Sequence, residues 1–141
     1  MTGFNHTLAG AIIAVIVPAP VVPLVALVSH FIKDALPHFG ESAIFKPYNR
    51  AFKTLLIIDA ILCFSALFFA WWLFPDHKVI ITVGAFFAAG PDFLWLLQGK
   101  VRWLNGFFKF AKKIQWKELP EGWTYELLYC VFMVMALVLL K

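Results

Sequence analysis

The sequence predicts an all-α membrane protein of about five hydrophobic helices, the first two a short proline-linked hairpin, plus an interfacial amphipathic segment. Three observations carry that prediction. Hydrophobic residues make up 62% of the 141 and charged residues only 14%, against about 45–50% and about 25% in soluble domains. Mean hydropathy is +0.84, too apolar for one 16.0 kDa core to hide, so lipid is the economical solvent. Finally, the apolar runs are broken by prolines and basic loops into helix-sized pieces. No repeat or long linker divides the chain, and residues 1–141 read as one integral membrane domain.

The first run, Asn5 to Val17, would be only about 20 Å long at about 1.5 Å per residue, short of the roughly 30 Å bilayer core. Pro18, Pro20 and Pro23 then break the helix, and a second run continues to about Leu36. The pair either tilts and thins the bilayer or forms a re-entrant hairpin buried in protein. Both arrangements return the chain to its starting side. A polar connection with Glu41, Lys46, Arg50 and Lys53 follows. Next is a full-length span, about Phe52 to Phe74, with one internal acid, Asp59. A short turn containing Asp76 and His77 leads to a span from about Val79 to Gln98, where Pro91-Asp92 lies near the far end. From Gly99 to Gly122 the chain alternates aromatics with Lys100, Arg102, Lys109, Lys112, Lys113 and Lys117, as an interfacial helix does. The last span runs from about Trp123 to Leu140.

Charge sets the orientation. Of twelve Lys and Arg residues, only Lys78 and Lys141 fall on the side opposite the N-terminus. This positive-inside bias predicts a plasma (inner) membrane protein with a cytoplasmic N-terminus. Basic loops beside anionic lipid also account for the net charge of +4 without nucleic acid. No basic n-region or small-residue cleavage site accompanies the first run, so the hydrophobic segments are expected to stay in the mature protein. Cys63 and Cys130 fall inside apolar runs and read as buried free thiols.

Ser29 to Gly40 (SHFIKDALPHFG) is the chemically richest stretch. Residues i and i+4 share a helix face, so His30 and Asp34 point the same way. Pro37 ends the helix and leaves His38 just beyond it. Two imidazoles and a carboxylate form a divalent-metal ligand set. His6, Asp59, Asp92 and Glu126 fall at similar depth on the same side, and each costs a few kcal/mol or more in hydrocarbon unless paired or facing a polar cavity. Ala9, Gly10, Ala85, Ala88 and Ala89 would let the helices approach closely enough to turn these groups inward. A helix-terminal hydrogen bond for His30 and Asp34, a kink at Pro91-Asp92 and a dipole contact for Glu126 are the plainer readings of the same residues.

NHTLAGAIIA near the start, SHFIKDALPHFG and AGPDFLW together resemble the small bacterial inner-membrane proteins described as metal-dependent hydrolases. The resemblance implies His6, His30, Asp34, His38 and Asp92 as ligand candidates. Larger members of that group carry a later His-Arg-Gly-x-Thr-His segment, which has no counterpart here, so a second metal with its own histidines is not expected.

Two functions from different classes remain. In the first, a divalent cation (zinc, with Mn or Fe as alternatives) serves a hydrolase acting on a phospholipid or isoprenoid phosphate at the cytoplasmic leaflet. Asp59 or Glu126 is then the general base or orients a ligand, and Lys33, Lys46, Arg50 and the loop cations hold phosphate. In the second, the cluster is a cation- or proton-binding site in a non-catalytic transport or interaction protein. Nucleotide, serine-hydrolase and thiol-exchange chemistry lack their motifs. The oligomeric state is left open.

Overall fold

The computed structural model describes residues 1–40 and 49–141, so Glu41 and Lys46 lie outside the described residues. Among the described residues there are six α-helices: α1 (Gly3–Ile16), α2 (Val22–Asp34), α3 (Arg50–Leu73), α4 (Lys78–Phe93), α5 (Asn105–Ile114) and α6 (Trp123–Leu139). The described residues are all-α apart from one two-residue parallel pairing, β1 (His38–Phe39) with β2 (Glu118–Leu119). Two helical segments, Arg50–Leu73 and Pro75–Leu97, are long and apolar enough to cross a membrane.

Proline sets the shape of the first pair. A single 3₁₀ turn at Ala19–Val21 joins α1 to α2, because Pro18 and Pro20 cannot donate to a continuing helix. α2 ends at Asp34, three residues before Pro37, as the clash between a proline ring and the preceding residue requires. Pro91 behaves differently. It is accommodated inside α4, which runs on to Phe93 and tightens into a 3₁₀ turn at Leu94–Leu97. The aromatic-basic loop folds its middle into α5, which buries Phe108 and Ala111 and exposes Lys109, Lys112 and Lys113.

α1 is the central element, packed against α2, α3, α4 and α6. Its closest neighbour is α4, and the two backbones touch at Gly10 and Gly84. A Cβ on either glycine would collide with the other's main-chain atoms. This contact brings the start of α1 to the end of α4, and so His6 to Asp92. A core of Leu8, Ala11, Val22, Ala70, Ile81 and Leu137 fills the other end of the molecule. There Trp71 Nε1 donates to the Lys78 carbonyl at 3.1 Å, and the Lys141 ammonium lies 5.0 Å over the Trp72 ring. The two basic residues assigned to the far side are therefore together, away from the polar cluster.

The β1–β2 pairing had no counterpart in the expected elements. It registers His38 with Glu118 and draws the segment after α2 against the segment before α6. The Phe39 and Trp123 rings stack at 4.0 Å, and a Cβ on Gly122 would strike the His38–Phe39 backbone. Cys63 and Cys130 are free, as expected, but half-buried rather than fully buried.

Candidate metal centre

Four side chains from three helices meet at the N-terminal end of α1. His6, His30, Asp34 and Asp92 each offer one ligand atom, and the four atoms lie within 4.8 Å of one another. His6 Nε2 is 3.0 Å from Asp34 Oδ1 and 3.7 Å from Asp92 Oδ2; His30 Nε2 is 3.4 Å from Asp34 Oδ2 and 4.0 Å from Asp92 Oδ1. The two imidazole rings lie 4.2 Å apart. His6, His30 and Asp34 are buried, while Asp92 is half-buried at the edge of the group.

His30 Nδ1 is 2.8 Å from the carbonyl oxygen of Ala88. A carbonyl only accepts, so Nδ1 carries the hydrogen, and when the ring is neutral Nε2 presents its lone pair toward two carboxylates. At His30, then, acceptor faces acceptor, whereas His6 Nε2 hydrogen-bonds Asp34 Oδ1 at 3.0 Å; His6 Nδ1 and Asp92 Oδ2 are buried without a hydrogen-bond partner among the described residues. Such an arrangement fits a cation. Orienting a ligating imidazole through a backbone carbonyl on its other nitrogen is how metal-binding histidines are held. The group could thus hold a metal ion, with nitrogen and oxygen donors suited to zinc, manganese or iron. The Met1 ammonium, itself buried, donates to Asp34 Oδ1 at 2.8 Å, so that oxygen of the group already has a cationic partner.

The other expected site residues are placed differently. His38 was expected among the ligands but lies outside the four-atom group. Its Nδ1 donates to the Leu36 carbonyl at 2.7 Å, and the β1–β2 pairing fixes its backbone beside a neighbouring cavity, with the ring itself buried. Asp59 accepts from the Gly3 and Phe4 amides at 2.9 and 3.0 Å. Glu126 accepts from the Thr2 amide at 3.1 Å, the Thr2 hydroxyl at 2.9 Å and the Asn5 amide group at 2.5 Å. These carboxylates cap the first turn of α1, whose amides have no intrahelical partner and whose dipole favours negative charge. Thr2, at the N-cap position, makes no side-chain cap of its own. Lys33 was expected to hold phosphate, but its ammonium turns inward to the Asn5 carbonyl at 2.6 Å and to Met133 Sδ at 3.2 Å.

Two contributors were not anticipated. Gln115, just past the end of α5, donates to Asp34 Oδ2 at 2.9 Å. Ala88 supplies the carbonyl that orients His30. Beside the cluster lies a cavity of about 420 Å³, reached by Asp92, Asp59 and His38 and walled on one side by Phe52, Leu55 and Leu56 of α3. No family model, curated protein or solved structure matches the chain.

Proposed function

We propose that the protein is a membrane-embedded, divalent-metal-dependent hydrolase that acts on a phospholipid or isoprenoid phosphate at the cytoplasmic leaflet. The observation that carries this reading is the locked imidazole of His30, whose Nε2 lone pair faces the Asp34 and Asp92 carboxylates with His6 alongside. Zinc is the preferred cation, with manganese or iron as alternatives.

Burial supports the membrane. The most apolar stretch of Arg50–Leu73 has a mean hydropathy of 2.2, yet only 11% of it is buried inside the protein. A soluble core helix of that composition would be covered by its neighbours. Phe64, Phe68 and Trp72 stand out from α3, and Leu127, Phe132 and Leu139 from α6. Exposed Trp103 and Trp116 among Arg102, Lys113 and Lys117 suit the headgroup layer. The cluster lies at this basic end, which the positive-inside rule assigns to the cytoplasm.

A bound divalent cation supplies Lewis-acid polarisation of a phosphoryl oxygen and acidifies water. His6, His30, Asp34 and Asp92 would hold it, and Asp59, which lines the same cavity as Asp92, would be the carboxylate placed to accept a proton. Glu126, taken up by Thr2 and Asn5, supports α1 instead of reacting. The resemblance to membrane metal-dependent hydrolases argues for the same chemistry.

Elemental analysis of the detergent-purified protein tests this reading. About one equivalent of divalent metal is expected in the wild type and little in His30→Ala or Asp34→Asn, with lipid-phosphate hydrolysis abolished by chelator and restored by metal. A wild type without metal sinks it. Metal binding with no turnover of phosphatidic acid or isoprenyl phosphate leaves a cation-binding membrane protein of the transport or interaction kind.

A further inference from the structure

We infer that the outer face of α5 is a docking surface for anionic phospholipid headgroups, centred on Lys109 and Lys113. The lipid held there is a bound partner, separate from any substrate in the cavity. This rests on the membrane placement proposed above and not on the metal.

Residues 99–117 carry Lys100, Arg102, Lys109, Lys112, Lys113 and Lys117 and no acid. Like charges crowded into so short a stretch repel one another unless counter-charge meets them. Arg102, Lys109 and Lys113 have no acidic partner among the described residues. A layer of lipid phosphates supplies what they lack.

Helix geometry sorts the two faces. At about 3.6 residues per turn, Lys112, Lys109 and Lys113 fall in that order within about 100° of the circumference of α5. Phe107, Phe108, Ala111 and Ile114 occupy the other side, where the Phe108 and Trp95 rings lie 5.2 Å apart. The apolar side is thus taken up by the protein itself. Lys112, at the border of the two sectors, lines the cavity, while Lys109 and Lys113 lie farther round and are exposed. These two are one turn apart on one face, a spacing at which a single phosphate can meet both ammoniums.

The neighbours of the lysines decide between water and lipid. A face turned to bulk water has no use for large aromatic rings. Yet Phe110 is 52% exposed one turn from Lys113, and Trp103 and Trp116 flank the helix at 82% and 68% exposed. The Lys117 ammonium lies 4.4 Å over the Trp116 ring. Rings interleaved with cations suit headgroup depth, where the rings reach the acyl boundary and the ammoniums the phosphates. The connections agree. The chain enters this stretch from Pro75–Leu97, which is long and apolar enough to cross a membrane, and leaves it for the apolar helix α6. Both ends therefore hold it at a leaflet surface, where lipid is at hand and a soluble acidic partner must displace it.

Native mass spectrometry of the detergent-purified protein decides this, with phosphatidylglycerol and phosphatidylcholine of identical acyl chains as probes. The wild type should retain phosphatidylglycerol in preference, and the preference should fall as ionic strength rises. Lys109→Gln with Lys113→Gln should weaken phosphatidylglycerol roughly 25-fold, from about 1 kcal/mol per cation beside anionic lipid at about 1.4 kcal/mol per tenfold. Phosphatidylcholine should change little. Lys78→Gln, at the opposite end of the molecule, should alter neither lipid. All three positions are exposed, so each variant should melt as the wild type does. Equal retention of the two lipids by the wild type, a salt-independent preference, an unchanged double variant or an equal loss in Lys78→Gln overturns the inference. So does a preference that vanishes with chelator, because the lipid then sits at the metal centre. A wild type that captures polyglutamate and shows no preference for phosphatidylglycerol has a soluble acidic partner instead. A protein that stays in solution without detergent fails before any lipid is offered, which marks the failure as that of the membrane reading.

Discussion

α1 and α3 pack against each other and are built on opposite rules. α1 has 14 residues and buries nine of them, among them Asn5, His6 and Thr7. α3 has 24 and buries three, Ala66, Ala70 and Leu73, while exposing phenylalanine, isoleucine and tryptophan along most of its length. At about 1.5 Å per residue the first is about 21 Å long and the second about 36 Å. Only the second matches a hydrocarbon core of about 30 Å. The short helix is wrapped by the others and carries the polar groups, and the long helix forms wall. Polar residues inside and large apolar ones outside reverse the usual soluble pattern. The inner helix can begin deep in the protein because its first amides are satisfied by Asp59 and Glu126 from its neighbours.

This contrast can be broken most severely at Asp34. Asp34→Ala strips partners from His6, His30, Gln115 and the Met1 ammonium together. A loss of about 3–5 kcal/mol is expected for removing one partner from a buried charged group, read as a lowered Tm in detergent together with lost metal. On the outer helix, Phe68→Lys is expected to cost about 2.5–3.5 kcal/mol of insertion free energy, visible as a shift from the membrane to the aggregated fraction; unchanged partition would mean that the exposed face of α3 does not meet lipid. Gly10→Val forces α1 from α4 and is expected to cost about 1–3 kcal/mol, the range for overpacking, with weaker metal binding because His6 and Asp92 separate. Asp59→Asn keeps the shape of the cap but removes its charge. It should lower stability by about 1 kcal/mol, in line with capping and dipole contributions, and leave metal content unchanged. The mildest change is Phe64→Leu on the outer face of α3, expected to stay within about 0.5 kcal/mol by the same melt.

Much of this was legible in residue order. Hydropathy and proline placed the helices to within a few residues, since both act locally. Pro37 did end α2, and the stripe of small residues did mark the α1–α4 contact, although Gly84 went unremarked. The i,i+4 pairing of His30 with Asp34 held as geometry, and His6 and Asp92 joined it across three helices. What stayed hidden depended on backbone groups and distant partners. A carboxylate that caps another helix looks the same in sequence as one awaiting a proton, so the amide partners of Asp59 and Glu126 were not foreseen; Glu126 is taken up at the start of α1, while Asp59 both caps that helix and lines the cavity. Gln115 is an unremarkable glutamine until α5 folds and brings it to Asp34. His38 seemed one of the ligands because it lies four residues past Asp34, but the chain leaves its helix before reaching it, and a two-residue pairing aims it elsewhere.

The link from Gln115 to Asp34 has a consequence at the protein's edge. The carboxylate oxygen that receives the Gln115 amide also faces His30 Nε2, so an arriving cation competes with the amide for the same electrons. Loading the interior is then felt at the tail of the amphipathic helix, one peptide bond from the exposed indole of Trp116. If the centre takes up a cation, the emission of that indole would report it from outside.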